Sequence, residues 1–351
     1  MDAVIRHHRR ALLGASLLLG LLITLAAPAG AAAEPQDVLA GLLGRQQSIS
    51  FAGERIRTTV RADSARTRIT NRQFVRHRPP SDYRVDYLDL PEGRESHFMA
   101  QENRVFEWRD DERVLVSERS DDQTLGLVLA PAYLDLLRTN YRVVRTEGPP
   151  VAGRPTWDLQ ITGNQPGRPS IRAWIDREYG VPLRMERYDY RGELRLQTEY
   201  RDIRFGVELP DGVFELPDQA ELRSTSLGRV YEGPEALYRR AGLPTPLLQR
   251  PPEGFRLDRI VHVQRRDTQY VQSFYSDGMA TLSVFAGRPE SAEPPLGGGE
   301  RVRSVRSGVD GRDSWARAWI GEIRVTLISD DLSEAELVRA IPSVILARRL
   351  P

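Results

Sequence analysis

The chain has 351 residues, of which 50 are basic and 49 acidic, with a formal net charge of +1. No lysine occurs, so every basic side chain is arginine, and there is no cysteine. That composition excludes disulfides, thiolate metal sites, a Walker-type phosphate loop, a Schiff-base lysine and a Ser-Lys dyad, and the interspersed charges leave no nucleic-acid footprint.

Arg6, Arg9 and Arg10 precede an apolar run, Ala11 to Ala27, interrupted only by Ser16, Thr24 and two glycines. The small residues Ala29-Gly30-Ala31-Ala32-Ala33 then lead into the polar Glu34-Pro35-Gln36-Asp37. Charged start, apolar middle and small-residue end form a secretory signal peptide, with cleavage expected after Ala33 and export from the cytoplasm. An uncleaved anchor is the competing reading, but a spanning helix needs roughly 20 apolar residues and this run is slightly short. Arg9-Arg10 continues poorly as a twin-arginine signal. Residues 1–33 carry +2 (Asp2 against three arginines), so the mature chain is near −1, that is 1 − 2. At roughly 100–200 residues per domain, the remainder predicts two domains.

In chain order, the spacing of Val38, Leu39, Leu42 and Leu43 predicts a short amphipathic helix over Asp37–Gln47. Period-two alternation then predicts strands at Ser50–Val60, Thr67–Arg76, Asp82–Leu90, Arg104–Trp108 and Arg113–Ser117. Pro131 opens a helix, Ala132–Arg138. Strands resume at Tyr141–Arg145, Thr156–Thr162, Ser170–Asp176, Pro182–Tyr190 and Glu193–Arg201, separated by turns at Gly148-Pro149-Pro150 and Pro166-Gly167. The fold class expected is mainly β (α+β), with a large curved antiparallel half-barrel whose concave side is plugged by helices.

Residues 219–249 lapse into turn residues around a helical run at Pro234–Arg240 and are expected to be a linker. Beyond it, Phe255–Gln264, Gln269–Tyr275, Ala280–Ala286, Arg301–Arg306, Ser314–Trp319 and Glu322–Ile328 predict a smaller sheet. Glu293–Gly299 is expected to be a surface loop, and Ser333 with Glu336 a capping box opening a final helix to Ile341. The organisation expected is a signal peptide (1–33), a half-barrel (34–218), a linker (219–249) and a sheet-and-helix domain (250–351).

Past residue 33 the only histidines are His77, His97 and His262, without paired metal-ligand spacing and without a G-x-S-x-G elbow. Asp110-Asp111, Asp121-Asp122 and Asp330-Asp331 read as solvated turn and cap residues. No catalytic residue, metal or cofactor is expected, and binding is the job that remains. The candidate ligand face is apolar: Phe106 and Trp108 on one strand, Trp157, Leu159 and Ile161 on a second, Ile171 and Ile175 on a third. Such a face is either plain core or an open, concave site for acyl chains or hydrophobic peptide, and both uses give the same alternation. Asp277-Gly278, between two strands, reads as a two-residue hairpin turn, which makes Ser276, Asp277 and Gly278 fold markers.

Ile171-Arg172-Ala173-Trp174-Ile175-Asp176 followed by Gly180-Val181-Pro182-Leu183-Arg184-Met185-Glu186 resembles the strand pair of LolA-like lipoprotein-carrier folds, and Tyr200–Phe205 and Leu209–Pro217 continue it. Pro252–Leu257 and the run Phe274-Tyr275-Ser276-Asp277-Gly278-Met279-Ala280-Thr281-Leu282-Ser283-Val284-Phe285 resemble the C-terminal domain of the MucB/RseB family, and Ser48–Glu54 is similar to that family's opening strand. The resemblance implies a periplasmic regulator that binds the extracytoplasmic segment of a membrane-spanning anti-sigma factor. It would sense a lipid-like envelope-stress ligand through its large domain and contact the partner through its small one. A periplasmic lipid or lipoprotein carrier is the alternative, and the second domain weighs against it.

Overall fold

The computed structural model describes residues 41, 44–60, 66–89, 96–102, 104–109, 113–118, 131–218, 221–224, 228–265, 268–288, 302–310 and 313–348. The expected signal peptide, most of the expected helix at Asp37–Gln47 and the loop Glu293–Gly299 lie outside the described residues.

The larger sheet begins with β1 (Phe51–Val60), β2 (Arg68–Arg78), β3 (Asp82–Tyr87), β4 (Ser96–Gln101), β5 (Arg104–Arg109) and β6 (Arg113–Glu118). Helix α1 (Pro131–Asn140) follows, then β7 (Tyr141–Val151), β8 (Arg154–Gly163), β9 (Ser170–Asp176), β10 (Pro182–Tyr188) and β11 (Leu194–Phe205). The short β12 (Glu221–Ser224) closes the set. The 12 strands run in the order β12-β6-β5-β4-β3-β2-β1-β11-β10-β9-β8-β7. Neighbours are antiparallel, as expected, except the short edge strand β12, which runs parallel to β6 and makes the sheet mixed. The first and last long strands meet at the centre, where β1 pairs with β11 from Phe51↔Phe205 to Thr59↔Leu196.

The second sheet contains β13 (Arg229–Tyr231), β15 (Arg256–Arg265), β16 (Thr268–Ser276), β17 (Thr281–Gly287), β18 (Val302–Asp310), β19 (Asp313–Ile320) and β20 (Ile323–Ser329), in the order β13-β15-β16-β17-β20-β19-β18. Helix α2 (Pro234–Ala241) precedes β14 (Thr245–Leu248), which pairs with the last strand, β21 (Val344–Ala347). Helix α3 (Glu334–Ala340) packs on β18 and β19. Its capping box is formed: Ser333 Oγ accepts from the Glu336 N–H at 3.3 Å and the Glu336 carboxylate accepts from the Ser333 N–H at 3.1 Å.

Alternation places the core. Along β17 burial switches residue by residue, with Leu282, Val284 and Ala286 turned inward. These join Ala316, Ala318, Val325, Leu327, Leu337 and Ile341 in one cluster under α3. Each fully buried leucine or isoleucine contributes roughly 1.5–3 kcal/mol relative to exposure.

Two details of the strand pattern differ from the sequence reading. Gly148-Pro149-Pro150 does not turn the chain. It forms an irregularity within β7, and the reversal falls at Ala152-Gly153, whose φ values of 48° and 71° suit a tight hairpin. Ser96–Gln101 is a strand that went unpredicted. Within the segment 219–249, read from sequence as a linker, the described residues carry β12, β13, α2 and β14. Short strands of three or four residues leave too few alternations to register as a period.

Candidate functional site

Five of the expected ligand residues share one face of the larger sheet. Across β8 and β9, Trp157 lies opposite Ile175, Leu159 opposite Ala173 and Ile161 opposite Ile171, and Val143 of β7 lies opposite Ile161 on the other side. Helix α1 covers this face. Leu134 and Leu137, one turn apart on α1, and Tyr141, the first residue of β7, pack against it. Leu159 and Ile161 are fully buried there, Ile175 nearly so, together with Met185 and with Met279 from the second sheet's β16–β17 loop. Trp157 and Ile171 are half-buried at the margin, and the Trp157 ring is bracketed by the guanidiniums of Arg145 at 4.7 Å and Arg177 at 4.3 Å.

Phe106 and Trp108 are not part of that face. They pack with Met99, Val114 and Phe214, beneath the short helical turn at Asp211–Phe214. Trp108 stacks on His97 at 4.9 Å, and His97 Nδ1 stands 2.6 Å from Asp86. Burial opposes the Asp86 charge, but the His97 hydrogen bond and the Arg84 and Arg76 guanidiniums bring its pKa down to about 2. His77 faces the Ile49 carbonyl at 3.0 Å, and His262 sits beside Tyr231, so the three histidines serve separate places. Among the described residues no group of three or more His, Asp or Glu side chains stands ready to hold a metal ion.

The most developed polar constellation lies where the two sheets meet, on residues read from sequence as turn markers. The loop after β16 spans four residues, not two. Asp277 caps it by accepting from the Met279 N–H at 3.0 Å and the Ala280 N–H at 2.7 Å. The same carboxylate accepts the Tyr141 hydroxyl at 3.0 Å to each oxygen and lies 3.4 Å from Arg168 Nε. Arg168 also donates to Glu336 at 2.8 Å. Asn140 donates to the carbonyls of Gly254 and Asp277 at 3.1 and 2.8 Å. Gly278 has φ 106°, and a Cβ there would stand 2.7 Å from the Leu137 nitrogen, so glycine is required both by the backbone and by the approach of α1. Burial raises the pKa of Asp277 against the pull of its N–H donors, Tyr141 and Arg168. Burial and the neighbouring Asp277 carboxylate likewise push the Tyr141 phenol far up, so it stays a donor.

A second bridge joins the sheets. Arg187 of β10 donates to Asp331 at 2.8 Å, while the other Asp331 oxygen accepts from the Thr281 N–H at 3.1 Å. Complete burial raises the Asp331 carboxyl to about 7, outweighing the pull of Arg187, and repulsion from Asp330 adds to the rise. Between the ordinary 3.8 and about 7 the folded state therefore holds a proton that the unfolded chain has lost. The stability contributed by this group is complete at the acid end of that window, falls as pH rises through it and is flat above it. The difference between the wild type and Asp331→Asn in denaturant stability is expected to change by about 1.4 kcal/mol per pH unit at its steepest. A difference that is constant across the window would show that Arg187 keeps Asp331 ionised.

Chemically, the arrangement is a sealed apolar layer whose cover is shared between the two sheets: α1 from the first, Met279 from the second, fastened by Asp277. Sequence reasoning missed Arg168, Tyr141 and Arg187 as partners because each reaches across more than 100 positions of chain. The one available signal was the Tyr-Ser-Asp-Gly run itself.

The family model described as MucB/RseB N-terminal domain matches residues 65–218. The structure of the Pseudomonas aeruginosa MucA/MucB complex is similar to this chain, with a TM-score of 0.62 at 18% identity, over 89% of this chain and 99% of that one. A second structure, MucB in complex with MucA(peri), is similar with a TM-score of 0.60 at 16% identity, over 90% of this chain and 99% of that one. A LolA superfamily protein from Nitrosomonas europaea aligns over 52% of this chain and 98% of its own, at 14% identity and a TM-score of 0.28. No curated protein matches the chain. At these identities the likeness to the two complexes is one of fold, and it extends over both sheets.

Proposed function

We propose that this chain, whose residues 65–218 form a MucB/RseB N-terminal domain, is a periplasmic, non-enzymatic regulator that binds the extracytoplasmic segment of an anti-sigma factor. Its larger sheet is the sensor of a lipid-like ligand and its smaller sheet a contact for the partner. Export follows from the leader ending near Ala33. The reading draws support from the two similar structures, in which MucB is seen with MucA, and from the presence of both sheets here.

The observation that carries the sensing half is the position of Met279. A loop of the smaller sheet is packed into the apolar layer formed by Leu137, Leu159, Ile161 and Ile175 of the larger. An acyl chain entering at the half-buried margin of Trp157 and Ile171 has to displace α1 or Met279. Displacing either pulls on the Tyr141–Asp277 and Asn140–Asp277 contacts. Occupancy of the layer is thereby converted into a change in how the sheets are fastened, which is what a ligand-released regulator requires. Phe106 and Trp108, in their separate cluster, belong to this proposal only as a second apolar patch on the same sheet.

The test is a pull-down of detergent-solubilised envelope membranes with the chain from Glu34 onward, with and without acylated lipid. Recovery of a single-pass anti-sigma factor that acylated lipid releases is the expected result. Recovery of acylated lipoproteins without an anti-sigma factor would replace regulation with carriage.

A further inference from the structure

The two faces of the smaller sheet differ. One is buried under α3, β14 and β21, while the other carries no described element. Along β19 the burial alternates, with Ser314, Ala316, Ala318 and Ile320 inward and Trp315, Arg317 and Trp319 half-exposed on the outer face. The register extends that outer row to both neighbours: Arg306 of β18 lies opposite Arg317, and Arg324 of β20 lies opposite Trp319. Thr326 and Ile328 continue β20's share of the face, and Phe285 of β17 lies opposite Thr326.

The middle of this patch is basic, while the exposed Asp313 and Asp310 face each other at its far end. Arg306 and Arg317 face each other directly, and like charges across a ladder are destabilising. Among the described residues no ion pair includes Arg306, Arg317 or Arg324. The hydrogen bond given to Arg317 goes to the neutral Thr326 hydroxyl at 3.4 Å. Burial, and secondarily the nearness of Arg317, lowers the pKa of Arg324, as expected where counter-charge is lacking. An anion arriving from outside would relieve all three.

The flanking residues narrow the kind of anion. Trp315 and Trp319 alternate with Arg317, and Arg317 stands 5.2 Å over the Trp315 ring. Tryptophan has an apolar body with one polar edge and collects at membrane–water interfaces. Addition of a peptide strand to β18 is hindered by its irregular register between Arg303 and Arg306, by Ser304 at φ 53°, and by the exposed charge of Arg306. A flat array of spaced cations and indoles suits many headgroups better than one extended acidic segment.

We infer that the outer face of β18–β20 docks the protein on an anionic lipid surface, with Arg306, Arg317 and Arg324 meeting headgroup phosphates and Trp315 and Trp319 settling at headgroup depth. Basic residues near such a surface add their attraction cumulatively, and salt screens it. This contact involves neither the apolar layer under α1 nor an anti-sigma factor, so it stands or falls apart from the proposed function.

The experiment is cosedimentation of the chain from Glu34 onward, with Pro35–Pro351 forming one compact unit. The vesicles are phosphatidylglycerol mixed with phosphatidylcholine, or phosphatidylcholine alone. Binding to the anionic vesicles only, weakened by salt, is expected, with Arg317→Ser/Arg324→Ser reducing the partition about tenfold or more at an unchanged melting midpoint. If that double variant does not fold, the exposed Arg306→Ser is expected to lower the partition several-fold. Undiminished binding by the folded variants, or equal binding to neutral vesicles, would overturn the inference, the latter pointing to acyl uptake by the larger sheet. Capture of polyglutamate in the same arginine-dependent way, without vesicle binding, would also overturn it and turn the face over to an acidic protein.

Discussion

Replacing Asp277 with alanine is expected to lower the unfolding free energy by about 3–5 kcal/mol, the scale seen when one partner of a buried charged pair is removed. The loss has several physical sources. The Met279 and Ala280 N–H groups lose the oxygen that caps their loop, and the Tyr141 hydroxyl loses both acceptors in a buried place. Arg168, only 6% exposed at its side chain, keeps Glu336 but loses its second carboxylate. Asp277→Asn retains an oxygen for the loop and for Tyr141, and is expected to cost about 1–3 kcal/mol, mostly through the Arg168 side. The check is a urea titration of both variants. An unfolding free energy for Asp277→Ala within about 1 kcal/mol of the wild type would show that the junction is solvated and fastens nothing.

The stability change has a functional counterpart. Because Met279 belongs to the layer under α1, loosening its loop loosens the cover over Leu159 and Ile161. Asp277→Ala is therefore expected to release a bound anti-sigma segment at lower concentrations of acylated lipid than the wild type does. A ligand can shift an equilibrium only through its differential affinity, and a weaker fastening reduces how much of that is needed.

How much of this was visible in the sequence differs by residue. Alternation over six or more positions located most long strands, most clearly Asp313–Ile320, where every second residue is buried. Ser96–Gln101 was missed because Ser-His-Phe-Met-Ala-Gln has no β-branched residue and no clean alternation, and only pairing with β3 and β5 makes it a strand. The apolar residues of the candidate face were found, yet their separation was not. Nothing in the local pattern says that Phe106 and Trp108 pack against Phe214 while Leu159 packs against Leu137. The junction was the least legible feature. Asp277 satisfies a turn by its own local bonds, so the bland reading was locally sufficient, and its second use depends on Tyr141 and Arg168 more than 100 positions away.

Trp174 tests the packing of the larger sheet's other face. Trp174→Ala is expected to cost about 3–5 kcal/mol, since its ring is 5% exposed and truncation leaves a cavity. The ring stands between Arg184 at 4.5 Å and Arg172 at 4.7 Å, and Arg172 is held in turn by Asp158 at 2.6 Å, so the guanidiniums do not collapse freely into the gap. The indole Nε1 is buried and has no hydrogen-bond partner among the described residues, a cost of about 1–3 kcal/mol already present in the wild type. Trp174→Phe removes that orphan donor while keeping an aromatic face for both arginines, and is expected to lie within about 1 kcal/mol of the wild type. Melting and urea midpoints for the pair decide the matter. If alanine and phenylalanine cost the same, the volume of the ring is not what Trp174 contributes. If both are neutral, the ring is not core and this face is open to solvent.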